Sequence, residues 1–136
     1  MAEHQHVDEE MEPDPELNLI TNAIIGAAIE VHRQLGAGLA ESLYENALAI
    51  EFGERAIPFK RQIVVPVVYK RQLIGETRLD FLVADRIIVE LKAVENIAPV
   101  HRSQMICYLK VTRHKLAILI NFNVPMLKDG IRRYAL

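Results

Sequence analysis

The chain has 136 residues, 51% of them hydrophobic and 25% charged, with a net charge of −2; that is one domain with a single buried core. No apolar run approaches the roughly 20 residues that cross a bilayer, and the acidic start lacks the basic and apolar segments of a secretory signal, so no membrane role is expected. A single cysteine, Cys107, rules out an internal disulfide and fits a reducing, cytoplasmic setting.

Residues 1–16 carry seven acids and no Lys or Arg, and read as an acidic flexible tail. All 16 Lys and Arg fall in 17–136 against 11 of the 18 acids, so that segment, taken as the folded domain, carries +5. This permits a polyanionic partner without demanding one. From Leu17 to Leu35 the residues Ile20, Ile24, Ala27, Ala28, Val31 and Leu35 recur at helical spacing, and Gly36-Ala37-Gly38 ends that helix. A second helix is expected from Ala40 to Arg55, burying Leu43, Ala47 and Ile50. Phe59–Tyr69 is β-branched and alternating, and Pro66 inside it points to an edge position or a bulge. Leu73–Val83 and Ile87–Ala93 read as a hairpin. Pro99 fits the first turn of a helix that runs to Thr112, with Met105, Ile106 and Leu109 buried and Cys107 a small core residue. Leu116–Phe122 reads as a buried central strand, and Met126–Leu136 as a short basic tail-piece around Arg132 and Arg133. The order α-α-β-β-β-α-β predicts an α+β sandwich, a mixed sheet flanked by helices.

The hairpin carries the chemistry. Its turn signal is Ala84-Asp85-Arg86, and a loop centred on Asp85 sets Asp80 opposite Glu90 and Arg78 opposite Lys92. Alternation puts Phe81, Val83, Ile87, Val89 and Leu91 on one face, and Arg78, Asp80, Leu82, Ile88, Glu90 and Lys92 on the other. Two carboxylates facing each other across a ladder repel, so the register calls for a compensating cation: Lys92, a divalent metal, or both. A shift of one residue would undo the argument. The plainer reading makes Glu90 and Lys92 ordinary solvent-facing strand residues paired with Arg78. On the following helix His101, Gln104 and Tyr108 share one face; the plainer reading makes Gln104 a surface residue and Tyr108 an interface residue.

Asp80, Glu90-Leu91-Lys92 and Gln104-x-x-x-Tyr108, in this element order, resemble the PD-(D/E)XK nuclease superfamily. Gly38-Leu39-Ala40-Glu41-Ser42-Leu43-Tyr44 is similar to the signature of the bacterial GxxExxY proteins within it. The resemblance spans about residues 17–134 and implies a restriction-endonuclease-like core. It implies that Asp80 and Glu90 bind a metal, that the carbonyl of Leu91 is a further ligand, and that Glu41 completes the set. A glutamate in the first turn of a helix is also stabilised by the helix dipole alone. By the same resemblance Lys92 positions the attacking water, and Gln104 and Tyr108 contact substrate or support the metal shell. The expected activity is hydrolysis of DNA, with RNA as second choice, using Mg²⁺ or Mn²⁺ and no small-molecule cofactor. Arg78, His101, Lys60 and Arg61 are candidate nucleic-acid contacts, and cutting two strands would suit a homodimer. With no Trp and only eight Phe and Tyr, no stacking platform for single strands is indicated. A nuclease-like module that binds nucleic acid or protein without hydrolysis is the alternative.

Overall fold

Asp14 opens helix α1 (Pro15–Leu35): its carboxylate accepts from the Leu17 N–H at 3.0 Å, and Pro15 occupies the first turn. The computed structural model describes residues 14–136, so the acidic tail expected over residues 1–16 lies outside the described residues as far as residue 13. Asp14 and Glu16 both reach Arg86 in the turn between the second and third strands. Ile24, Ala27, Ala28 and Val31 form the buried stripe of α1 as expected, whereas Leu35 is exposed.

Helix α2 (Glu41–Glu54) buries Tyr44, Glu45, Leu48 and Phe52. The expected face was wrong: Leu43 is 48% exposed and Ile50 64% exposed. Apolar residues occupy several sides of this helix, so periodicity alone leaves its rotation open. The aromatic rings decide it. Tyr44 stacks on Phe122 at 4.5 Å, and Phe52 meets Phe59 and Phe81 at 5.5 and 5.4 Å; a buried aromatic of this size adds about 1.5–3 kcal/mol.

The link between the helices depends on the same tyrosine. The Tyr44 hydroxyl donates to the Gly36 carbonyl and accepts from the Leu39 N–H at 3.1 Å, while Gly36 and Gly38 hold φ of 72° and 108°, conformations that favour glycine. Tyr44→Phe keeps the stacked ring but leaves two backbone groups without their partner. It should lower stability by about 1–3 kcal/mol, read as a shifted urea midpoint with an unchanged m-value.

Five strands form one mixed sheet in the order β1 (Phe59–Tyr69), β2 (Gln72–Val83), β3 (Ile87–Lys92), β4 (Leu116–Asn121), β5 (Ile131–Ala135). All neighbours are antiparallel except β3 and β4, which run parallel and are joined by α3 (Pro99–Thr112). Helices α1 and α2 cover one face, packing on Phe81, Val83, Ile87, Val89, Leu91, Ile118 and Ile120. Helix α3 covers the other with Met105, Tyr108 and Leu109 against Leu82, Ile88, Ala117 and Leu119. This is the α+β sandwich the element order predicts, and it fits a restriction-endonuclease-like core.

Three expectations need correcting. The C-terminal tail-piece is strand β5, which buries Tyr134 and makes β4 an interior, fully buried strand. Cys107 is exposed rather than core, because Met105, Tyr108 and Leu109 take the sheet-facing side of α3. Arg78 pairs with Val64 of β1, not with Lys92. Pro66 does lie on an edge strand, and a bulge follows it between Val67 and Val68. The turn into β5 requires Gly130, since a Cβ there would fall 2.2 Å from the Asn121 carbonyl oxygen.

Candidate functional site

The β2–β3 hairpin keeps the expected register through Val83↔Ile87, Leu82↔Ile88 and Phe81↔Val89, and then the ladder stops. Beyond Phe81, β2 pairs only with β1, while β3 continues along β4 as far as Lys92↔Asn121. Asp80 and Glu90 sit where the strands part, so they are not ladder partners as the register alone suggested. Their side chains stand in for the missing backbone bonds. The Asp80 N–H donates to Glu90 Oε2 at 2.7 Å, and the Leu91 N–H donates to Asp80 Oδ2 at 2.9 Å. Oδ1 of Asp80 and Oε1 of Glu90 take part in no hydrogen bond among the described residues.

Glu90 is only 4% exposed, and burial in a low-dielectric setting penalises a charged carboxylate. Burial and then the charge of Asp80 push the Glu90 pKa up to about 8, against the pull of the Asp80 N–H and Lys92. Burial also leads for Asp80, raised to about 6 with help from Glu45 and Glu41 and opposed by the Leu91 N–H and Lys92. Two acids that resist ionisation side by side, near a lysine, form an arrangement that a cation would relieve.

Lys92 follows Glu90 by two residues at the end of β3, half-buried. Its carbonyl accepts from the Phe122 N–H at 2.9 Å. Beyond it, buried Asn121 binds both the N–H and the carbonyl of Val94, at 3.0 and 2.9 Å, fixing the chain where it leaves the strand. The side chain of Asn121 thus ties β4 to the exit of β3.

Helix α3 brings its expected face to this end of the sheet. The Tyr108 pKa is raised by burial first, with Thr77 as a hydrogen-bond neighbour pulling the other way and the charges of Glu90 and Asp80 adding to the rise. Gln104 is half-buried one turn earlier. His101 Nδ1 accepts from the Ala98 N–H at 3.0 Å, which puts the ring proton of the neutral imidazole on Nε2. Burial and the charge of Lys92 lower its pKa.

The remaining expected residues are dispersed. Glu41 is exposed in the first turn of α2, although its charge reaches both acids. Among the described residues no three His, Cys, Asp or Glu side chains come together as a ready metal-binding group. Lys60 pairs with Asp85 at 3.1 Å. Arg61 is committed to Glu45 at 3.1 Å and Asn46 at 2.7 Å. Arg78 is exposed, with no ion pair among the described residues. The sequence reading missed Glu45, a 9%-exposed carboxylate on the sheet-facing side of α2. The stripe Tyr44, Leu48 and Phe52, had it been preferred, would have turned Glu45 inward.

A mixed five-stranded sheet between helices, with an acidic pair and a lysine where the central strands part, defines the architecture of a nuclease-type α+β domain. A family model of the PD-(D/E)XK nuclease superfamily matches residues 18–134, and the chain belongs to that superfamily. A search of curated proteins found no match. Among the described residues no helix is long and apolar enough to cross a membrane.

Proposed function

We propose that this chain is a metal-dependent nuclease of the bacterial GxxExxY group, cytoplasmic, hydrolysing phosphodiester bonds of DNA, with RNA as the second choice. The observation that carries the reading is the pair of half-buried Asp80 and buried Glu90, each with one oxygen uncommitted among the described residues, beside Lys92. An all-oxygen donor set suits Mg²⁺ or Mn²⁺, and Mg²⁺ is commonly held by only one or two carboxylates with several waters kept. Asp80, Glu90 and the Leu91 carbonyl are therefore a sufficient set, with Glu41 the outermost candidate. Bound there, the ion would lower the pKa of a water and offset charge on the reacting phosphate.

The chain's own residues divide the remaining work. Lys92 orients the attacking water or neutralises developing charge. Tyr108 and Gln104 line the α3 side of the substrate, and His101 offers an Nε2–H donor. Arg78 is the most available of the basic residues for a backbone phosphate, ahead of Lys60 and Arg61, which are already paired. Cutting both strands of a duplex would call for two such sites, and so a homodimer.

Calorimetric titration of Mn²⁺ into the wild type and Asp80→Ala tests this without knowledge of the substrate. Specific binding is expected in the wild type and none in the variant; a folded wild type that ignores millimolar Mn²⁺ would count against the reading. A second reading, a nuclease-like module that binds nucleic acid or protein without hydrolysis, draws support from the exposed Glu41 and the lack of a gathered third acid among the described residues. It expects nucleic-acid binding to persist in EDTA and in Lys92→Ala, with no cleavage under any condition.

A further inference from the structure

Strand β1 contains a residue in an unusual conformation directly across from Asp80. Gln62 has φ of 51°, in the left-handed region that non-glycine residues seldom occupy inside a strand. The β1–β2 ladder runs through Phe59↔Val83, Lys60↔Leu82 and Arg61↔Phe81, then resumes in the same register at Ile63↔Leu79. One residue on each strand, Gln62 and Asp80, drops out of the pairing.

The break reverses which way the side chains point. Strict alternation would keep Leu79 and Phe81 on one face. Phe81 instead packs under α1 and α2, while Leu79 packs under α3. On β1 the same change falls between Arg61, which lies 5.8 Å from the Phe81 ring, and Ile63, which joins the α3 side. Asp80 occupies the crossover, where its carboxylate is free to reach the Leu91 N–H of β3.

Something must hold Gln62 there. Its side-chain amide donates to both carboxylate oxygens of Glu45, at 3.0 and 2.9 Å. Arg61 grips the same carboxylate from the adjacent position at 3.1 Å. Glu45 is nearly buried on the sheet-facing side of α2, so it is a fixed acceptor anchored in the core. Both of its oxygens are occupied, which suits a clamp rather than a metal ligand.

We propose that Gln62, clamped by Glu45, is a positioning residue: its left-handed backbone breaks the β1–β2 ladder and thereby turns the Asp80 carboxylate toward β3. The consequence for metal binding rests on the nuclease reading above; the consequence for the Asp80–Leu91 hydrogen bond does not. A β-branched residue resists a positive φ, whereas glycine adopts it freely. Gln62→Val should close the ladder and withdraw Asp80, and Gln62→Gly should keep the break without the clamp.

The test compares the two variants in the metal-free protein by the Leu91 amide proton shift and its hydrogen-exchange protection, with thermal unfolding alongside. Leu91 should lose its wild-type shift and protection in Gln62→Val and keep both in Gln62→Gly, with both variants folding cooperatively and melting below wild type, because each takes the Gln62 amide away from the Glu45 carboxylate. In the same samples Mn²⁺ affinity should fall by about 10–100-fold in Gln62→Val, the range for losing a group that orients a ligand, and should hold in Gln62→Gly. An unchanged Leu91 amide in Gln62→Val would overturn the proposal, whatever the metal does. A changed Leu91 amide in Gln62→Val, together with a wild type that binds no Mn²⁺, would uphold the positioning role and sink the nuclease reading alone. Should Gln62→Val not fold, Gln62→Thr poses the same restriction with a polar side chain, and a wild-type Leu91 amide there overturns the proposal equally.

Discussion

Lys92→Ala should reduce Mg²⁺-dependent cleavage of a nucleic-acid substrate by about 10²–10⁴-fold, the range for losing a positioned proton-transfer or charge-stabilising group. Stability should barely change. The main chain at Lys92 is held by β4 through the Lys92↔Asn121 pairing and the Phe122 N–H, and neither depends on the ammonium. Metal binding should survive as well, but with a steeper dependence on pH. Lys92 holds down the pKa of both Asp80 and Glu90, so without it the acids give up their protons less readily. Only once the pH exceeds the further-raised pKa of Glu90 does the loss of a neighbouring positive charge work in favour of an incoming cation. Cleavage under single-turnover conditions and Mn²⁺ titration at two pH values separate these effects. Full cleavage by Lys92→Ala would remove the lysine from the chemistry, and loss of Mn²⁺ binding at high pH would make it a structural support for the acids instead.

How far the sequence revealed this site depended on what each signal measures. Ala84-Asp85-Arg86 was legible as a turn because it interrupts two apolar runs, Leu79–Val83 and Ile87–Leu91, and Ala84 and Asp85 do take left-handed conformations, with φ of 54° and 57°. That fixed the register and the two faces around Phe81, Val83, Ile87 and Val89. The same reasoning placed Asp80 in a ladder that ends one residue earlier. A hairpin reading sees two strands, but Asp80 answers to a third, β1, through Gln62. Gln62 gave no turn signal: it is neither glycine nor asparagine, and it stands in a run of good strand formers. Its conformation is set by Glu45, seventeen residues away, a contact that local propensity does not encode. The face of α2 was lost for a related reason, since several of its sides are apolar and the packing of Tyr44 and Phe52 chose among them. The C-terminal strand went unread because Ile131-Arg132-Arg133-Tyr134 looks polar until β4 offers an edge to pair with. The GxxExxY-like segment was recognised as a pattern before its physics was visible. Two of its fixed positions, Gly38 and Tyr44, shape the loop between α1 and α2, and the third, Glu41, is exposed.

Metal-free protein should lose stability as the pH rises from 5 to 8.5, and Glu90→Gln should abolish most of that loss. The folded pKa of Glu90, about 8, lies above its ordinary value of 4.5, so between those two points the folded state holds a proton that the unfolded chain has released. A raised carboxyl pKa contributes stability that is fully present below the unfolded value and disappears as pH climbs through the folded one. Asp80, raised from 3.8 to about 6, adds to the same trend over a lower window. Glu30, lowered to about 2 by Arg33 and Gln34, has the opposite sign and loses its contribution only as pH falls below the ordinary carboxylate range, outside the measured interval. Glutamine at position 90 keeps an oxygen for the Asp80 N–H but carries no charge. It should therefore stabilise the metal-free protein at pH 8.5 on the order of 2–4 kcal/mol, given about 1.4 kcal/mol per pKa unit. At pH 5, where wild-type Glu90 is already largely protonated, the two proteins should melt together. Saturating Mn²⁺ should recover the wild type at pH 8.5, by about 2.7 kcal/mol at one hundred times its dissociation constant, and should do little for the variant. Urea denaturation at the two pH values, with and without Mn²⁺, measures all four corners. Equal stabilities of wild type and Glu90→Gln at pH 8.5 without metal would mean that Glu90 ionises at little cost. The acid pair at the strand break would then be no reason to expect a cation there.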